Sequence, residues 1–112
     1  MTALQTPAAD APAEEWGRLA VSIPGWRWMP GMIDTYPSFR LVVDYDPELD
    51  DLSDCVPDPD DPATAGCLLA LLGAQVFSVW MAQNWREGDD ERIGRACIAA
   101  AAALGRWPGG EG

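Results

Sequence analysis

The sequence predicts a single small α+β domain in the order α-β-β-α-β-α, about three antiparallel strands packed with three helices. Three observations predict it. Apolar residues recur at helical spacing in three stretches that stop at proline or glycine. The run Phe39 to Tyr45 alternates apolar and polar. The run Val76 to Gln83 is apolar on both faces, as in a central strand. A chain of 112 residues has room for one core. Residues 10–107 are expected to form it, with a flexible lead-in over 1–9, an acidic loop over 44–61 and a flexible tail over 108–112.

The first helix starts at Asp10 and Pro12, with Glu14 and Glu15 where the helix dipole favours anions. Trp16, Leu19, Ala20 and Ile23 form its apolar face, and Pro24-Gly25 ends it. Trp26, Trp28 and Met29 read as a strand that Pro30-Gly31 turns away. This strand is expected to pair antiparallel with Phe39–Tyr45, which places Phe39, Leu41, Val43 and Tyr45 on its buried side. Residues 46–60 are rich in proline and carboxylate and read as an extended loop. Asp61 followed by Pro62 has the form of an N-cap and a proline at N1. Ala65, Leu68, Leu69 and Leu72 supply the stripe of this second helix, and Gly73 closes it. After the Val76–Gln83 strand, Gly88-Asp89 opens the last helix, whose stripe is Ile93, Ala96, Cys97, Ala100 and Leu104. Gly105 ends it. The alanine run Ala99–Ala103 suits close packing on the sheet, a dimer seam or a ligand groove.

Composition narrows the chemistry. There is no histidine, and all seven basic residues are arginine. Histidine acid/base catalysis, histidine-ligated metals and lysine Schiff bases are therefore excluded. Cys55, Cys67 and Cys97 form no Cys-x-x-Cys pair and are odd in number, so reduced thiols are expected and not a disulfide framework. No phosphate-binding glycine motif is present. The spacing of Asp44, Asp46 and Glu48 resembles the start of a calcium loop. Leu49 stands where that loop needs glycine, and Cys55 where it needs the bidentate glutamate. The expectation is a protein that is not an enzyme and needs no metal or cofactor. No basic and apolar leader precedes the domain and no stretch is uniformly apolar over a membrane's thickness, so the expected location is cytoplasmic.

Charge is the most informative pattern. Eighteen acids face seven bases, a net charge of −11 with a sequence pI near 4.1, which argues against direct binding to nucleic acid or to anionic membranes. Residues 44–61 hold nine acids and no base: Asp44, Asp46, Glu48, Asp50, Asp51, Asp54, Asp58, Asp60 and Asp61. Like charges this close oppose folding, so the stretch is either a solubilising loop or a recognition surface for a basic partner. Capping explains Asp61. The other eight are candidate partner-binding residues.

Tryptophan adds a second set. Of the six, Trp16 and Trp80 fall on expected core faces, while Trp26 and Trp28 share a strand face. Trp85-Arg86 and Arg106-Trp107 lie near element ends in a pairing favoured at binding hot spots, which makes Trp85 and Trp107 further candidates. Core or edge packing is the competing account of each.

Two segments carry a resemblance. Residues 25–32 (GWRWMPGM) and 57–72 (PDPDDPATAGCLLALL), together about a third of the chain, resemble small uncharacterised proteins encoded by phages and prophages of high-GC bacteria. The arginine-only base usage and the alanine content fit such genomes. The resemblance implies a viral protein, and small acidic phage proteins include anti-CRISPR and other anti-defence inhibitors, several of which look like DNA mimics. The expected function is therefore a non-enzymatic inhibitor that binds a basic, nucleic-acid-binding surface of a host protein, such as a CRISPR-Cas complex, in the host cytosol. The alternative is a phage structural or assembly module. Self-association is left open.

Overall fold

The computed structural model describes residues 6–8, 10–35, 55–84 and 92–111. Four α-helices account for most of them: α1 (Ala13–Ser22), α2 (Pro62–Leu72), α3 (Ala74–Asn84) and α4 (Ile93–Leu104). A short 3-10 turn follows at Pro108–Glu111. No strand occurs among the described residues, so the expected α+β class is corrected to a helical one.

The helix signals at α2 act as read. The Asp61 carboxylate accepts from the Thr64 N–H at 3.0 Å and from the Thr64 hydroxyl at 3.0 Å, with Pro62 at the first helical position. Gly73 leaves the helix at φ 97°, a conformation that costs glycine little. Helix α1 begins behind Pro12, carries Glu14 and Glu15 in its first turn, and turns Trp16, Ala20 and Ile23 into the core. Its C-terminal end is held by the last segment of the chain, where Trp107 N–H donates to Pro24 O at 2.8 Å.

The Val76–Gln83 strand is overturned, because these residues lie inside α3. An apolar run this short has no period that separates a buried strand from a helix. Val76, Phe77 and Trp80, on one side of the helix, pack against the core, and the Phe77 N–H bonds back to Gly73 O at 2.9 Å. The Trp26–Met29 segment builds no ladder either. Trp28 is buried in the core, and Trp26 meets it edge to face with ring centroids 5.8 Å apart. Its expected partner, Phe39–Tyr45, lies outside the described residues.

Helix α4 is the centre of the molecule. Every residue from Gly94 to Ala102 is buried, packed chiefly on α2 and then on α1. The alanine run thus serves close helix–helix approach, since a side chain of one carbon lets two backbones come near. The sheet it was expected to cover is not found among the described residues. The helix begins at Ile93, and the Gly88-Asp89 start expected for it lies outside the described residues. Gly105, left-handed at φ 80°, ends it as read. Pro108–Glu111, expected as a tail, coils against the last turn of α2, with Gly109 set against the carbonyls of Ala70 and Leu71.

Candidate functional site at the base of the acidic segment

Thr35 and Cys55 flank the undescribed residues 36–54, and the segments on either side of them are joined. Asp34 and Pro57 form an antiparallel bridge. Thr35 N–H donates to Val56 O at 3.0 Å, and Asp58 N–H donates to Ile33 O at 2.9 Å. A third tie runs through the α2 cap, because the Ile33 N–H donates to Thr64 Oγ1 at 2.8 Å. The acidic segment is therefore anchored at both ends to the N-terminus of α2.

Residues 57–61 then cross the body as a strap. Pro57 and Pro59 are fully buried. The Pro57 carbonyl lies against Gly17 of α1 and the Pro59 carbonyl against Gly94 of α4, positions where a side chain would collide with the strap. Two glycines in separate helices thus admit one proline-rich segment.

The strap uses its own carboxylates. Asp58 Oδ1 accepts from the Asp60 N–H at 3.0 Å, and Asp61 caps α2. Asp60 receives two hydrogen bonds from Arg95, Nε to Oδ1 at 2.9 Å and Nη2 to Oδ2 at 2.8 Å. The remaining Arg95 nitrogen, Nη1, donates to Ala11 O. The Arg95 side chain is 9% exposed and that of Asp60 is 40% exposed, a half-sheltered pair. These hydrogen bonds hold the Asp60 carboxyl below the usual carboxylate range and lift the Arg95 guanidinium above its own.

Among the expected contact residues, then, Asp60 is committed to an internal ion pair and Asp58 to a turn. Trp107 is corrected from a surface contact to a core residue: it is 0% exposed, and its indole N–H donates to Ala20 O at 3.0 Å. An Arg-Trp pair at an element end has the same sequence form whether the ring seals a core or meets a partner. Asp44, Asp46, Glu48, Asp50, Asp51, Asp54 and Trp85 lie outside the described residues. Arg95, Gly17 and Gly94 escaped the sequence reading. The one available signal was a lone arginine within the Gly/Ala/Cys stripe of the last helix.

Neither Cys67 nor Cys97 is an activated thiol. Burial pushes Cys97 up to about 12. Burial, followed by the nearby Asp61 charge, raises Cys67, whose Sγ–H points at Pro30 O at 3.4 Å. Among the described residues no group of three or more acidic, cysteine or histidine side chains is placed to hold a metal ion.

Together the geometry defines a small helical body that anchors an acidic segment by both ends. The chain matches none of the protein-family models, curated proteins or solved structures with which it was compared. Among the described residues no single helix is long and apolar enough to cross a membrane.

Proposed function

We propose that the chain is a non-enzymatic inhibitor, of the anti-CRISPR or anti-defence type, that acts in the host cytosol by binding a basic, nucleic-acid-binding surface of a host protein. Asp44, Asp46, Glu48, Asp50, Asp51 and Asp54 supply the contact charge. The observation that carries this reading is the division of labour along the acidic run. Its last three acids, Asp58, Asp60 and Asp61, make hydrogen bonds within the protein, while the segment holding the other six is tied at both ends by the Asp34–Pro57 bridge. Six carboxylates without a base between residues 44 and 54 repel one another, so their clustering has no benefit for folding. It does favour encounter with a positive surface, in competition with a phosphate backbone.

The test is affinity capture from a host lysate containing defence complexes, at low and high salt and with duplex DNA as competitor. A nucleic-acid-binding complex that is captured at low salt, released at high salt and displaced by DNA supports the reading. Recovery of virion proteins alone, insensitive to salt, overturns it.

A further inference from the structure

Four hydrogen bonds close a ring where the chain enters and leaves residues 36–54. Ile33 N–H donates to Thr64 Oγ1 at 2.8 Å, and the Thr64 hydroxyl donates to Asp61 Oδ2 at 3.0 Å. Asp61 N–H donates to Asp58 O at 3.2 Å, and Asp58 N–H returns to Ile33 O at 2.9 Å. The ring joins the stem before residue 36, the proline strap after residue 54 and the first turn of α2.

One hydroxyl sits at the centre of this ring. Thr64 is 0% exposed, and its oxygen accepts from the backbone of one stem while its proton goes to a carboxylate of the other. Donation to a carboxylate is a charge-assisted bond, and it polarises the hydroxyl oxygen toward the bond it accepts. The helix cap has no need of that hydroxyl. Asp61 Oδ2 also accepts from the Thr64 backbone N–H at 3.0 Å, a bond that any residue with an N–H could make there. Capping thus accounts for Asp61, and joining the two stems accounts for the buried Thr64 hydroxyl.

We propose that the Thr64 hydroxyl is a latch, which makes the two stems and the α2 cap one cooperative unit and whose loss lets the stems part while the helical body stays folded. The bonds from Thr35 N–H to Val56 O and from Asp58 N–H to Ile33 O then open together with it, although neither touches Thr64. The latch concerns described residues alone and needs no partner, so it stands or falls separately from the inhibitor reading. It is tested by native-state amide hydrogen exchange on the full chain as wild type, Thr64→Val and Thr64→Ser. Valine keeps the branched shape and the backbone N–H but lacks the hydroxyl, and serine keeps the hydroxyl.

In Thr64→Val the amides of Ile33, Thr35 and Asp58 should exchange at least about tenfold faster than in wild type, the scale set by a donor left without its partner. The amides of Gly105 and Trp107, bonded to Ala101 and Pro24, should keep their wild-type rates, and Thr64→Ser should restore all three stem amides. Acceleration of Ile33 alone overturns the proposal, because Thr64 is then a simple acceptor. Equal acceleration of Gly105 and Trp107 overturns it too, because Thr64 then acts only through global packing. If the valine variant does not fold, the wild type decides. Exchange is then followed in rising urea below the unfolding transition. One opening free energy and one urea slope shared by the three stem amides, lower than those of Gly105 and Trp107, uphold the latch. Separate slopes, or slopes equal to those of Gly105 and Trp107, overturn it.

Discussion

Asp60 and Arg95 lie 35 residues apart and meet through two parallel hydrogen bonds, 2.9 and 2.8 Å long. Since Arg95 also holds the Ala11 carbonyl, one guanidinium joins the segment before α1, the proline strap and α4. The junction lies on the strap that follows the Asp34–Pro57 bridge.

Replacing Asp60 by Asn leaves Arg95 sheltered without a counter-charge. The expected loss is about 1–2 kcal/mol, the scale of a charged hydrogen bond discounted for the exposure of Asp60. The sign of the pH dependence follows from the lowered carboxyl. The pair's contribution is fully present above the ordinary aspartate range and is lost as pH falls through the depressed folded-state value. Denaturant melts of wild type and Asp60→Asn should therefore differ by a constant amount near neutrality and converge below about pH 4. The absence of a gap near neutrality, or a gap that stays constant through acid, would show that the ion pair contributes nothing.

The strap makes a steric prediction. A methyl group at Gly94 collides with the Pro59 carbonyl, and one at Gly17 with the Pro57 carbonyl, whereas Gly66 has open space around it. Gly94→Ala and Gly17→Ala should each cost about 2 kcal/mol or more. Gly66→Ala, also within a helix, should gain up to about 1 kcal/mol. Thermal melts of the three variants read this directly, and equal effects at all three positions would contradict the strap.

Trp107 closes the core where the end of the chain meets α1. Trp107→Ala should cost about 3–5 kcal/mol, the usual range for a buried tryptophan. A melting temperature equal to that of wild type would restore Trp107 to the surface.

Cys97 should resist modification. Fully buried, with its thiol pushed up to about 12, it should stay unlabelled by a disulfide reagent at pH 8 until denaturant is added. Cys55 and Cys67, both half-buried, should react first. Three equally fast thiols in the native protein would refute the packing of α4.

Local signals were the legible part of this fold. Asp61-Pro62 and Gly105 mark helix ends through hydrogen bonds and backbone angles made within a few residues, and both act where read. Residues 76–83 misled because an apolar run without polar gaps has no period, and its packing partners set its conformation. The Asp60–Arg95 pair had no local signature. Counting charges gives the sum, but which carboxylate an arginine neutralises depends on the fold that joins residues 60 and 95. For the same reason the bond from Arg95 to Asp60 could not be read from the sequence.

The central claim is that the six carboxylates of residues 44–54 are the contact surface. The direct measurement is the association rate of the Asp50→Asn/Asp51→Asn/Asp54→Asn variant with the captured partner, at low and physiological salt. The account predicts an unchanged or slightly higher melting temperature, because self-repulsion is relieved. It also predicts slower association, a shallower salt dependence and weaker binding. Binding at the wild-type rate and affinity at physiological salt would contradict it.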